Sequence, residues 1–425
     1  MSRTTRSARS RQDRPRLLVL GSTFPARPDD GVPAFVLDLA HQEATEFDTL
    51  VLTPRVPGGA AKERIGEVAV RRYPYFPRRF EDLADGAILD NLKERRSRIV
   101  QVPALVLAQY LAVRRMVRSA KPDVIHAHWA IPQALVATLA APGVPVVVTT
   151  HGGDIYALRA APLVRLKRWI FGRSAHVTTV NSEMRERLTE WGVPESRSTV
   201  IPMGVDLGPA RDTRARVAPQ EHHVVAVGRL VEKKGFGNLI EALRGLGDDV
   251  PWRLTVVGDG PYRAQLEQQA ADLPVTFLGQ RGRTEVLETL ASATVVAVPS
   301  IPAANGDQEG LPVTLLEAAA VGAAIVASDL PGIRDVVQDD VSGVLVPPGG
   351  RPGAPRSTAA RAHRRCSALA LPGAGRRLGG GVLHRTDRRA LPGGAARSHR
   401  LTTRQTHRRP GAGPTDRHRA SCVSP

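Results

Sequence analysis

Cysteine is nearly missing from this chain: there are two in 425 residues, Cys366 and Cys422, and both lie beyond residue 350. The stretch before them has no thiol for a disulfide or a cysteine-based metal site, which fits a reducing compartment. No apolar run approaches the roughly 20 residues of a membrane span. The first sixteen residues also lack the apolar core of a signal peptide. The expectation is a cytoplasmic protein, with peripheral attachment at the inner face of a membrane left open. Asp-x-Asp pairs are absent too, as is the His-x3-His helical spacing, so a metal site is not expected.

Acidic residues are scarce at the two ends. Residues 1–16 hold six Arg and one Asp, and residues 351–425 hold 17 Arg, two Asp and neither Lys nor Glu. The net charge of +18 belongs to those ends, because 17–350 carries 36 basic and 38 acidic residues. A near-neutral body argues against nucleic acid as its partner. Its length suggests two or three domains.

The stretch around which the chain is organised is 299–322, PSIPAANGDQEGLPVTLLEAAAVG. An apolar run of strand length, 295–299, precedes a loop whose stretch 305–310 carries no apolar side chain, and Pro312 then suits the first turn of a helix. Strand, loop and helix in that order make an anion site, since free N–H groups and the helix dipole point at the ligand. Glu309 falls on the loop and Glu317 inside the helix. Eight positions along one helix would separate them by roughly 12 Å, whereas an acid and base pair sits about 5–9.5 Å apart. They read as two separate clamps.

Glu309-Gly310-Leu311-Pro312-Val313-Thr314-Leu315-Leu316-Glu317 resembles the Glu-x7-Glu motif of the retaining family 4 glycosyltransferases of GT-B fold. Four more stretches resemble that family, in its order. The strand 16–21 feeds a glycine loop and a helix over 32–44. There Gly31 matches one of the family's two glycines, while Val32 replaces the other. The strand 122–129 ends in His126 and His128. The strand 144–154 ends in His151-Gly152-Gly153-Asp154. Finally 228–235, Gly-Arg-Leu-Val-Glu-Lys-Lys-Gly, puts Arg229 and Lys234 on a loop after a strand, where a guanidinium fork and an ammonium can neutralise a diphosphate. Gly258-Asp259-Gly260-Pro261 also matches. It is not a dinucleotide fingerprint, because the third glycine is missing.

The resemblance covers about 17–350 and implies two doubly wound Rossmann-like domains facing each other across a cleft, α/β in class. The first, 17–205, would take the acceptor. A linker, 206–220, would lead to the donor domain, 221–350. By the same resemblance Arg229 and Lys234 hold the donor's diphosphate, with Gly31 and the backbone N–H groups of Gly310 and Leu311 beside it. Glu317 binds the ribose, Glu309 the sugar's hydroxyls, and His151 touches the sugar from the opposite domain, with His128 and Asp154 on that side. The implied partners are a nucleotide sugar and a carbohydrate or lipid-linked acceptor; the implied activity is sugar transfer without metal or other cofactor, in glycolipid, cell-envelope or polysaccharide synthesis. A catalytically silent nucleotide-sugar-binding protein remains the alternative.

Two segments stand apart. Residues 93–121 have an apolar centre flanked by basic clusters, which suits either a core helix with solvated ends or a helix resting on an anionic membrane. Residues 351–425 contain no Ile, Phe, Tyr, Trp or Met. A genuine basic arm would usually mix Lys with Arg, so the loss of pattern suggests a shift of coding frame in GC-rich DNA instead. The tail is therefore expected to be non-globular, the second domain to be left with exposed apolar surface, and the product to be weakly active.

Overall fold

A computed structural model describes residues 14–26, 34–86, 88–246 and 250–349. Gly31, most of the basic lead-in and the whole 351–425 tail lie outside the described residues. The described chain begins two residues before the first strand. Arg14 donates to the Ala44 carbonyl (2.7 Å), and Arg16 already begins the first strand, its N–H bonded to Asp123 (2.7 Å).

The first sheet comprises β1 (Arg16–Leu20), β2 (Asp48–Pro54), β3 (Lys62–Ile65), β4 (Val68–Tyr73), β5 (Val124–His128), β6 (Val146–Thr149), β7 (His176–Thr179) and β8 (Ser198–Val200). Its order is β3-β4-β2-β1-β5-β6-β7-β8. All pairs are parallel except β3 with β4. The second sheet is wholly parallel, with β9 (His223–Val227), β10 (Arg253–Val257), β11 (Val275–Gly279), β12 (Val295–Val298), β13 (Ala324–Ser328) and β14 (Val344–Val346) in the order β11-β10-β9-β12-β13-β14. This is the α/β fold of two doubly wound domains that the sequence implies.

Both sheets reverse strand order beside their first strand, β1 lying between β2 and β5 and β9 between β10 and β12. Ligand sites of open α/β sheets form at such switch points, outside the carboxyl ends of the strands. Central strands are covered on both faces, so their apolar runs are unbroken. Leu18, Val19 and Leu20 are fully buried, as are Val296 and Val225, and each such side chain contributes about 1.5–3 kcal/mol.

Residues 93–121 do not form one helix. A helix Ile88–Glu94 and a 3-10 turn Arg96–Val100 precede the helix Gln101–Ala120. Pro103 falls in the first turn, where its missing N–H costs nothing, so it does not interrupt the helix. Leu105, Gln109, Val113 and Met116 face the core.

The segment expected to link the domains is mostly a helix, Leu207–Arg216, capped by Asp206 through the Gly208 N–H (3.0 Å). It packs on the helices Arg283–Ala291 and Val313–Ala320, and Arg214 donates to the carbonyls of Val321 (2.5 Å) and Gly322 (2.6 Å). Nor does the second domain expose a broad apolar surface. Among its described residues Val341 is the one large apolar side chain standing well out into solvent, whereas several do so in the first domain.

Candidate active site

Four loops meet between the carboxyl edges of the two sheets. After β9 the chain turns through Gly228 into 229–235, where a 3-10 turn Glu232–Lys234 ends on Gly235 at φ +65°. A Cβ on Gly235 would lie 2.0 Å from the Pro299 carbonyl oxygen, so only glycine lets this loop rest on the end of β12. The contact aligns the loop with the stretch beyond Pro299, and side chains clasp the two together. Glu232 accepts from the Ala304 N–H (2.8 Å), Lys233 pairs with Asp307 (3.2 Å), and Lys234 pairs with Glu309 (3.2 Å).

Arg229 and Lys234 are thus on one loop, and Lys234 meets Glu309 directly. Burial pushes the Glu309 carboxyl up, but the charges of Lys234 and Lys233 outweigh it and hold the group below the usual carboxylate range. Glu309 is therefore an ionised acceptor at neutral pH. Glu317 sits inside the helix Val313–Ala320, as expected, and has the opposite bias: burial raises it, the Arg283 charge opposes and the Asp38 charge reinforces. Pro312 precedes the first helical residue with extended ψ, one position earlier than the sequence suggested.

Across the cleft, β6 delivers His151. Its ring packs against Phe35 (centroids 5.0 Å apart), Trp129 (4.7 Å) and His128 (5.2 Å). Its Nε2 bonds His128 Nδ1 at 3.0 Å. Among the described residues His151 Nδ1 and His128 Nε2 have no hydrogen-bond partner. Burial, reinforced by the charge of His126, pushes His151 down to about 3, and burial followed by His126 and His151 takes His128 well below its usual value. Both rings are neutral in the folded protein. His128, fully buried, stands behind His151 rather than at an open surface.

Asp154 is a brace. One carboxylate oxygen accepts from the His151 N–H (2.6 Å), the other from the Ala130 N–H (3.1 Å), tying together the loops that follow β6 and β5. Burial raises it to about 6 against those hydrogen bonds and the charge of Lys167. Lys167, which sequence reasoning passed over, is buried, donates to the Ala157 carbonyl (2.9 Å) and lies 5.0 Å from the centre of the Trp191 ring. His126 is held from both sides, by Glu43 (2.5 Å) and Thr149 (2.6 Å).

These shifts fix the sign of a pH dependence. A histidine depressed to about 3 contributes stability that is present above pH 6.5 and is lost as pH falls toward 3. Asp154, raised to about 6, works the other way, its contribution being present below about pH 4 and lost as pH rises through 6. Two histidines against one aspartate leave net acid destabilisation, each at up to about 1.4 kcal/mol per pH unit. His151→Gln is therefore expected to flatten the fall in Tm between pH 7 and pH 4.5, measured by thermal melts of both proteins; parallel curves would refute it.

The two domains touch at Gly310. Gly152, at φ +103°, could carry no Cβ without approaching the Gly310 nitrogen to 2.9 Å. Asn181 caps the helix Ser182–Glu190 through Oδ1 and donates Nδ2 to the Gly310 carbonyl at 2.6 Å. Ser182 N–H reaches Asp335 (2.7 Å), Gln308 reaches Glu183 (3.2 Å), and Arg283 pairs with Asp38 (3.0 Å). Nothing in the sequence pointed to these partners. His151-Gly152 and Glu309-Gly310, singled out separately, are thus already in contact, with no closure needed to join them. Among the described residues, no three His, Cys, Asp or Glu side chains are grouped to hold a metal ion.

The fold is that of GT-B glycosyltransferases: sucrose-phosphate synthase from Thermosynechococcus elongatus superposes with a TM-score of 0.67 at 19% identity, over 88% of this chain and 94% of that one. Anabaena HepE in complex with UDP gives 0.57 at 18%, over 88% and 95%. The "Glycosyltransferase Family 4" model matches 30–208 and the "Glycosyl transferases group 1" model 221–363. A GDP-mannose-dependent alpha-(1-6)-phosphatidylinositol monomannoside mannosyltransferase of Mycolicibacterium smegmatis is 33% identical over 270 residues, 59% of this chain and 70% of that protein. The chain belongs to the family 4 glycosyltransferases. A putative colanic acid biosynthesis glycosyltransferase, WcaL of Escherichia coli K12, is 36% identical over 42% of this chain and 45% of its own length. The chain spans about half the length of the curated relatives of that kind that it matches.

Proposed function

We propose that the protein is a retaining glycosyltransferase that moves a sugar from a nucleotide-sugar donor to a hydroxyl of a carbohydrate or lipid-linked acceptor, in glycolipid, cell-envelope or polysaccharide synthesis. The observation that carries this reading is the convergence at Gly310: a cationic loop holding Arg229 and Lys234, an ionised Glu309, and the His151-Gly152 turn of the opposite domain. In it, Arg229 and Lys234 take the diphosphate, Glu317 the ribose and Glu309 the sugar's hydroxyls, with the N–H groups of Gly310 and Leu311 turned to a phosphate. As the bond from the anomeric carbon to phosphate oxygen breaks, negative charge grows on the diphosphate, and fixed cations stabilise it without reorganising. The leaving phosphate oxygen takes the acceptor's proton, and the acceptor oxygen bonds the anomeric carbon from the same face. A neutral His151 lies beside the sugar without competing for that proton. The diphosphate's charge is met by side chains and the helix N-terminus rather than by a metal. A lipid-linked acceptor would place the reaction at the inner face of a membrane, with the protein peripheral.

The names of relatives and neighbours support this donor class, since they speak of GDP-mannose dependence and of a UDP complex. The test is a panel of nucleotide sugars, incubated with the full chain in EDTA-containing buffer and assayed for nucleoside diphosphate release. Release from at least one donor is expected; donor binding with no release under any acceptor would favour a silent binding protein. With the donor known, Glu309→Gln is expected to lower kcat by about tenfold or more, whereas Glu317→Gln mainly raises KM. Equal effects confined to KM would count against those two roles.

A further inference from the structure

Side chains two apart on a strand share a face, so β5 sets the rings of His126 and His128 side by side, with centroids 4.4 Å apart and planes 32° from parallel. His126 is anchored at both nitrogens. Nδ1 bonds Glu43, at the end of the helix Phe35–Glu43, and Nε2 bonds Thr149, whose hydroxyl lies 2.6 Å from that of Thr178. His128 packs on this immobile ring and spends its one hydrogen bond on the next histidine along, Nδ1 meeting His151 Nε2 at 3.0 Å.

Both members of that pair are neutral, because burial and the neighbouring imidazoles depress them. The bond between them therefore holds a single hydrogen, and the ring that owns it decides the tautomer of both. If His151 donated, the proton of His128 would sit on Nε2, which has no partner and belongs to a side chain closed to solvent on every side. If His128 donates, its Nε2 keeps only a lone pair, and the N–H without a partner moves to Nδ1 of His151. Buried N–H groups are seldom left orphaned, whereas under-satisfied acceptors are tolerated more readily. Of the two residues, His151 alone keeps part of its surface open, beside the Gly310 contact of the opposite domain. Phe35 and Trp129, packed on its ring, offer the N–H no acceptor.

We infer that His128 is a positioning residue: its Nδ1–H donates to His151 Nε2 and so keeps the His151 proton on Nδ1, where it is offered to an oxygen of the bound sugar. This deepens the proposed function and rests on it for the identity of the ligand. The tautomer has a chemical consequence. A lone pair at Nδ1 would put a base beside the reacting sugar, able to take the acceptor's proton in place of the leaving phosphate. An N–H at the same point can only donate. His128 would thus exclude a side-chain base from the step without touching the substrate itself.

The test is a long-range proton–nitrogen NMR spectrum of the full chain, labelled with nitrogen-15 in its histidine rings, in which a protonated ring nitrogen is told from an unprotonated one by its shift. The chain has 12 histidines, and the signals missing from His151→Gln identify those of His151. Nδ1 protonated and Nε2 unprotonated is the result expected. His128→Leu removes the donor, so His151 should lose that preference and kcat should fall about tenfold, the loss of one hydrogen bond at the sugar. His128→Asn places an amide where Nδ1 stood and should restore both the tautomer and most of the rate. Protonation of Nε2 in the wild type overturns the inference, whether or not the variants fold. So does a His128→Leu protein that loses activity with His151 Nδ1 still protonated, since His128 would then be structural only. The spectra need no turnover, so a failed transferase assay counts against the proposed function while the tautomer is still read.

Discussion

Lys234→Ala is expected to lower kcat/KM for the donor by about 10- to 100-fold, the equivalent of losing one charge-assisted contact of about 1.5–3 kcal/mol. A second loss accompanies it. In the wild type Lys234 is the larger of two charges that hold Glu309 down against its burial. Without it burial prevails, the carboxyl protonates at higher pH, and the variant should show an acid limb in its pH–rate profile that the wild type lacks at the same pH. The double variant Lys234→Ala with Glu309→Gln should be little worse than Lys234→Ala alone at the acid end, because there the carboxyl is already neutral. Steady-state kinetics from pH 5.5 to pH 8 measure all three proteins. Wild-type rates for Lys234→Ala at neutral pH would sink the donor-site assignment.

Gly332→Ala should do the most damage with the smallest change. An added Cβ would lie 1.7 Å from the Gly310 carbonyl oxygen and 2.9 Å from Asn181 Nδ2. No rotamer relieves a Cβ clash, so the backbone must move and the buried hydrogen bond from Asn181 must stretch or break. Overpacking costs about 1–3 kcal/mol and an orphaned buried partner a similar amount. Gly310 also lies against His151 and Gly152, so the shift separates the two half-sites. Tm should fall by several degrees and titration calorimetry should find donor affinity reduced at least about tenfold. Gly172→Ala serves as control: like Gly332 it lies in a helix without a positive φ, but it has nothing within 4 Å of its Cβ. Equal behaviour of the two variants would mean that the Gly310 contact has no bearing on the site.

The sequence showed the central strands because nothing interrupts them: β1, β9 and β12 are covered on both faces and read as apolar runs. It hid β2, β3 and β4. β3 is an edge strand carrying Lys62, Glu63 and Arg64, and β4 carries Arg72, which is buried because it pairs with Glu63 and donates to the carbonyls of Ala60 (2.9 Å) and Pro25 (2.7 Å). A charge with that kind of partner looks like surface until the fold supplies it. The loops of the candidate site were legible for a related reason, since cations and glycines follow strands at close spacing there. Asp154 drew notice as a carboxylate after two glycines, but the two backbone N–H groups that hold it could not be read from the sequence. The clasp of Lys233 on Asp307 and the pair of Arg283 with Asp38 could not be read at all. Their members are far apart in the chain, and each by itself is an ordinary charged residue.

The helix Leu207–Arg216 changes what kind of machine this is. Because Arg214 staples it to the turn after the helix Val313–Ala320, it travels with the second domain, and the slack expected over fifteen residues shrinks to the few between the end of β8 and Asp206. A tether that short leaves no freedom to drift, only to swing. In the transferase we propose, the two half-sites would form a jaw with a fixed pivot, each opening for product release being followed by a return to the same bite beside His151.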